Sequence, residues 1–169
     1  MLDSSNSSDD IDDGNNTTNH KKWIRHALKL AERSRAEGEV PVGAVIVKNN
    51  KLIAEGWNQP IDKHDATAHA EIMAIRAAGQ ALNNYRLPDT TLYVTLEPCT
   101  MCAGAIIHAR IANVIFGAPD PRTGSAGSAI DIFAGNYHNH HVNVDGGLMR
   151  EECGQILKDF FRERRKRTT

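Results

Sequence analysis

Nowhere in the chain do apolar residues run for the roughly 18 consecutive positions of a membrane-spanning helix, so no membrane span is expected. The N-terminus also lacks the basic, then apolar, then small-residue order of a secretory signal, and a cytoplasmic location is the expectation. Cysteine is scarce. Three residues, an odd number with two of them only three positions apart, exclude a disulfide framework and suit a metal or redox site in a reducing compartment. With 169 residues, 40% of them apolar, the chain is long enough to bury one substantial core as a single domain.

Residues 1–19 hold no Lys or Arg and too few large apolar side chains to fold, while carrying Asp3, Asp9, Asp10, Asp12 and Asp13. They are predicted to be a disordered acidic and polar tail. Residues 20–169 then carry 20 basic residues against 16 acidic ones, although the whole chain has a formal charge of -1. The densest basic run is Arg162, Arg164, Arg165, Lys166 and Arg167 at the C-terminus. Alone, such a run is a solvated helix end; beside a nucleoside-modifying site it becomes a candidate contact for an RNA backbone.

Hydrophobic periodicity divides the remainder into alternating helices and strands. Trp23, Ala27, Leu30, Ala31 and Ser34 recur at helical spacing, with Gly38 as the stop. The apolar run Val42 to Val47 and the segment Lys51 to Trp57 flank Asn49-Asn50 as a hairpin. Further helices are predicted at Ala70 to Leu82, Met101 to Ala109 and Leu148 to Arg165, and strands at Thr91 to Leu96, Asn113 to Phe116 and Val142 to Val144. This alternation predicts a layered α/β domain with a mixed sheet. No internal repeat is present.

Two segments concentrate chemistry. Thr67-Ala68-His69-Ala70-Glu71 opens one helix, and Glu97-Pro98-Cys99-Thr100-Met101-Cys102 joins a strand to the next, with Pro98 suited to a helix entry. Cys99 and Cys102 stand at i and i+3, on one face of a first helical turn, where the partial positive charge of the helix end favours thiolates. His69, if the two helix starts converge, is a third ligand. Three protein ligands leave a fourth position for water, the pattern of catalytic rather than structural zinc. Cys153, in the last helix beside Gly154 and Ile156, reads as a small buried hydrophobe. Glu71, two residues from a ligand, is placed to move the proton of a zinc-activated water.

Taken singly, a Cys-x-x-Cys is often redox or structural, and a His-Ala-Glu at a helix start is usually a polar turn. Together, His-x-Glu followed by Pro-Cys-x-x-Cys is the signature of zinc deaminases. From about Trp23 to Arg165 the chain further resembles the bacterial tRNA-specific adenosine deaminases, the TadA type of the cytidine-deaminase-like superfamily. The matching stretches are Glu39-Val40-Pro41-Val42-Gly43-Ala44-Val45, Gly56-Trp57-Asn58, Thr67 to Ile72, Tyr85-Arg86-Leu87, Leu92 to Cys99, Met101 to Ala105, and Phe116-Gly117-Ala118.

The resemblance implies a three-layer α/β/α cytidine-deaminase-like fold with a five-stranded mixed sheet. It implies one Zn2+ per subunit on His69, Cys99 and Cys102, with Glu71 as proton shuttle. It sets Asn58 on the adenine ring, the Ala70 backbone beside the base, Asp120 in the loop beside the nucleoside, and His140 in a loop near the tRNA. The implied activity is hydrolytic deamination of the wobble adenosine to inosine in a tRNA anticodon loop, that of tRNA-Arg, by a homodimer whose partner subunit finishes the site. The target base must leave its stack to be reached. Asp120 is the candidate acceptor for the 2′-hydroxyl that tells RNA from DNA. Pro119 departs from the family, which commonly has a basic residue there, and Pro121 follows in the same loop. His138, His140 and His141 lie in a polar loop with two asparagines and read as loop rather than as a second metal site.

Other functions share parts of this pattern. Cytidine, deoxycytidylate and guanine deaminases carry the same zinc motif, although the basic C-terminal helix argues against a free nucleoside. A non-catalytic zinc and RNA-binding module would need neither Glu71 nor an open coordination position. A silent partner subunit typically lacks the glutamate that is present here.

Overall fold

In the computed structural model, which describes residues 13–169, helix α1 (Asp13–Ala36) leads into a hairpin of β1 (Gly43–Lys48) and β2 (Lys51–Trp57). A short helix α2 (Pro60–Lys63) and a longer α3 (Ala70–Leu82) precede β3 (Thr91–Leu96), α4 (Thr100–His108) and β4 (Asn113–Ala118). A long connection then reaches β5 (Asn143–Gly146) and the last helix, α5 (Arg150–Arg167). The hairpin turns on Asn49 and Asn50, both at positive φ (51° and 56°), the conformation that two-residue hairpin turns require.

The strands form one five-stranded sheet in the order β2-β1-β3-β4-β5. β1 is antiparallel to both β2 and β3, while β3, β4 and β5 run parallel, so the sheet is mixed as expected. Strand alternation sends Ala44, Ile46, Leu92, Val94, Val114 and Phe116 to one face, where they meet Ala70, Ala74 and Ala78 of α3 and Ala103 and Ile106 of α4. Val45, Val47, Tyr93 and Ile115 point to the other face, against Trp23, Ile24 and Leu30 of α1 and Cys153 of α5. Both faces are therefore covered, in three layers.

One expectation needs correction. Residues 13–19 were predicted to be disordered, yet they belong to α1; the rest of that tail, residues 1–12, lies outside the described residues. Extending a helix costs far less than nucleating one, so the apolar stripe beginning at Trp23 carries the polar Asn/Thr stretch with it. His20 Nδ1, 2.7 Å from the Tyr93 hydroxyl, pins this extension to the sheet. The structure also adds α2, a four-residue helix with Pro60 at its start, for which the sequence pattern predicts nothing because it is too short for apolar periodicity to register.

The small side chains of α3 allow it to lie directly on β2. A Cβ at Gly56 would fall against the Ala70 carbonyl and the Ala74 amide, so only glycine permits this approach. Gly56→Ala is expected to cost about 1–3 kcal/mol in denaturant unfolding, the usual range for overpacking. Because Ala70 follows His69, zinc affinity should fall in the same variant, as a competition titration with a chelator would read.

Candidate active site

The parallel strands β3 and β4 end side by side, with Leu96 opposite Ala118, and the chain leaves both at the same edge of the sheet. This is where α/β sheets place their ligand sites. The segment after β3 enters α4 through Cys99, the N-cap residue, whose backbone is extended (φ -77°, ψ 175°). α3, packed on α4 below the sheet, begins with His69 as its own extended N-cap (φ -69°, ψ 155°). Neither side chain makes a capping hydrogen bond, which leaves both free to ligate.

His69 Nδ1 lies 3.6 Å from Cys99 Sγ and 3.6 Å from Cys102 Sγ. All three donor atoms fall within 4.8 Å of one another. Zinc bonds of about 2.3 Å to sulfur and about 2.0 Å to nitrogen put tetrahedral nitrogen and sulfur ligands roughly 3.5 Å apart, so both His69–cysteine separations match a shared zinc. A hydrogen bond from Cys102, opposed by burial and reinforced by His69, holds the Cys99 thiol down to about 4. The same bond to Cys99, together with burial, pushes Cys102 up. The contact with Cys99 raises His69. Metal held here would take both sulfurs as thiolates, so its binding would release the remaining thiol proton.

Beside the ligands opens a cavity of about 260 Å³. Val40, Val42, Pro60 and Leu96 form its apolar wall, and Asn58, Glu71, Glu97, Asp120 and Thr123 its polar one. Glu71, in the first turn of α3, is only 4% exposed. Burial pushes its carboxyl up to about 7. Asn58 Oδ1 accepts from the Ala70 amide at 2.8 Å, so the side-chain nitrogen is the group left for a ligand. The Asn58 carbonyl in turn accepts from the fully buried Ser34 hydroxyl at 3.0 Å.

The structure thus gathers Asn58, His69, Ala70, Glu71, Cys99, Cys102 and Asp120 at one place. The Asp120 carboxylate, however, already accepts from the Arg122 and Thr123 amides (3.0 and 3.2 Å) and from the Thr123 hydroxyl (2.7 Å). His140 is not brought in: its Nε2 meets the Ile111 carbonyl at 2.7 Å, before β4, at the opposite end of that strand. His138 is engaged separately with the Ile132 carbonyl. Among the described residues, His69, Cys99 and Cys102 are the one His/Cys/Asp/Glu group gathered for a metal ion. Cys153 is buried on the other face of the sheet, where burial pushes its thiol up to about 12.

The basic run occupies the exposed last turns of α5. Arg35, near the end of α1, pairs with Glu163 at 2.7 Å, and four residues beyond the end of α1 the chain forms the cavity wall at Val40. The basic turns of α5 therefore begin beside the end of α1 from which the chain runs to the cavity wall, on the sheet face opposite α3 and α4. Sequence reasoning passed over Glu39 and Glu97, both buried. The signal was there for Glu97, a glutamate inside the otherwise apolar strand exit Leu96-Glu97-Pro98.

Three protein ligands leave one zinc position for water, and Glu71 stands where it can move that water's proton; together with the layered fold, this defines a zinc-dependent deaminase. Residues 17–118 match the family described as the cytidine and deoxycytidylate deaminase zinc-binding region. The chain is 51% identical over 147 residues to the tRNA-specific adenosine deaminase of Haemophilus influenzae, covering 86% of this chain and 85% of that one. It is 43% identical to the enzyme of that name from Bacillus subtilis, with 89% and 93% covered. The chain belongs to the tRNA-specific adenosine deaminase family. A solved structure from work on A-to-I editing by tRNA:A34 deaminases at the wobble position superposes with a TM-score of 0.78 at 43% identity, covering 80% of this chain and 99% of that one. Guanine deaminase from Bacillus subtilis is similar at a TM-score of 0.59 and 37% identity, over 73% and 82%.

Removing one ligand should empty the site. Cys99→Ser is expected to lower zinc content from one ion per chain to near zero and to reduce the melting temperature, because metal binding and folding are coupled. Elemental analysis and thermal melts with and without chelator check both.

Proposed function

We propose that the chain converts the wobble adenosine of a tRNA anticodon loop, that of tRNA-Arg, to inosine with release of ammonia. The observation that carries this reading is the buried Glu71 in the cavity wall beside the three-ligand group. His69, Cys99 and Cys102 would hold the zinc, which when bound supplies the Lewis acidity that lets water lose a proton near neutral pH. Glu71 takes that proton, and oxygen adds to C6 of the purine. Glu71 passes that proton to ring N1, then takes the proton of the newly added hydroxyl and delivers it to the departing amine, so that ammonia leaves and the ring carbonyl of inosine remains. Asn58, its oxygen fixed by Ala70, offers an N–H to an acceptor on the base. The apolar wall of Val40, Val42, Pro60 and Leu96 excludes water from the flipped ring.

Asp120 and Thr123 border the cavity where the sugar of a flipped nucleotide would leave it. The reading includes a homodimer working in the cytoplasm; exposed Ile61, Tyr85 and Ile130 offer apolar surface to a second copy. No helix among the described residues is long and apolar enough to cross a membrane.

Glu71→Ala is expected to keep one zinc per chain and to lose about 10²- to 10⁴-fold or more in single-turnover deamination of an anticodon hairpin. Substantial remaining activity, or loss of the metal, counts against the assignment. Ammonia release from the hairpin, compared with cytidine and guanine, tests the substrate class in the same assay.

Replacing Arg164, Arg165, Lys166 and Arg167 by Gln leaves the Arg35–Glu163 pair in place. If these side chains meet phosphates, the slope of log affinity for tRNA against log salt should flatten by roughly 0.7–0.9 for each phosphate no longer neutralised. An unchanged slope returns the run to a solvated helix end.

A further inference from the structure

We infer that Glu97 is a positioning residue that fixes the loop at residues 120–128 against the zinc-ligand segment, so that RNA binding depends on it more than the chemical step does. Only the choice of RNA substrate rests on the adenosine-deaminase reading. Glu97 follows β3 directly, precedes Cys99 by two residues and is 3% exposed. Its Oε2 accepts from the Asp120 amide at 2.8 Å, and its Oε1 from the Ala126 and Ser128 amides at 2.9 and 3.0 Å. The adjacent Pro98 carbonyl accepts from the amide and hydroxyl of fully buried Ser125, at 2.9 and 2.8 Å. A Cβ at Gly124 would fall on the Glu97 carboxyl group and the Asp120 carbonyl, so the loop lies flush on this segment.

The loop holds its own turn through Asp120 and Thr123, but nothing in that turn sets its distance from the zinc ligands. Ser125 ties its middle to Pro98, and Glu97 is the side chain that holds both its start at Asp120 and its end at Ser128. A carboxylate suits the task because it has two acceptor oxygens and no donor, and three backbone N–H groups converge on it. Both of its oxygens are engaged by backbone, which leaves proton transfer to Glu71. Asp120 and Thr123, which the loop carries into the cavity wall, are the groups whose place Glu97 decides.

Glu97→Gln puts an NH2 group opposite at least one of those amides, whichever way the side chain is turned. In zinc-loaded protein, single-turnover kinetics on an anticodon hairpin should show the half-saturating concentration raised about tenfold. The maximal rate should stay within about threefold and the zinc content at one per chain. Glu97→Asp keeps both acceptors but is one methylene shorter, and should fall between the two; it also reads the role if the glutamine variant does not fold. Amide exchange of Asp120, Ala126 and Ser128 should quicken about tenfold or more in either variant, while Ala103 in α4 keeps its protection.

An unchanged half-saturating concentration at full zinc overturns the inference, as does loss of zinc or a fall confined to the maximal rate. Unchanged exchange at the three loop amides also overturns it. Wild-type protein that releases no ammonia from the hairpin would sink the adenosine reading instead, and the exchange comparison would still decide what Glu97 holds.

Discussion

The site depends on two helix N-termini being brought within reach of one metal ion. His69 and Cys99 are the N-cap residues of α3 and α4, and neither uses its side chain to cap its helix. A missing cap costs a helix on the order of 0.5–2 kcal/mol, and two thiols near a buried glutamate add unfavourable proton sharing. Zinc resolves both at once. It gives the uncapped side chains a partner and takes up the charge of the sulfurs, while the helix ends direct their positive partial charge at the same point.

This convergence requires α3 and α4 to lie close to the sheet and to each other. Alanines at 70, 74, 78 and 103 keep the contact layer thin, and Gly56 removes the last obstacle between β2 and α3. The large aliphatic residues sit on the strands instead, where alternation lets β1, β3 and β4 serve both layers. A methyl group added at the α3–β2 contact would therefore be felt at the metal, although no atom of Gly56 touches it.

Three buried carboxyl groups lie in or beside the cavity wall, Glu71 and Glu97 lining it and Glu39 next to Val40, and their partners separate their roles. Glu39 accepts from the Asp62 amide at 2.9 Å and ties α2, with Pro60, to the mouth; Glu97 gathers three amides from the loop on the other side. Glu71 faces the cavity between them, and burial pushes it up to about 7, toward the range in which a group can both take and return a proton. Two carboxylates thus hold the walls. The third is left for chemistry.

Whatever is local in the chain was legible before any fold was known. The period of the apolar residues marked α3 and β3 with the bounds the structure shows, Asn49-Asn50 marked the hairpin turn, and the i, i+3 cysteines with His-x-Glu marked the metal set, because each depends on neighbours a few residues apart. Tertiary packing settled the rest. Residues 13–19 become helical because a packed helix propagates into them and His20 reaches Tyr93. His140 is turned to the Ile111 carbonyl at the far end of β4, and the Asp120 carboxylate is drawn into its own turn. Glu97 finds three amides that lie 23 to 31 residues further along the chain. No pattern of spacing records such pairings, since a buried polar side chain takes its partners from whatever backbone the fold brings to it, and a sequence lists only the neighbours along the chain.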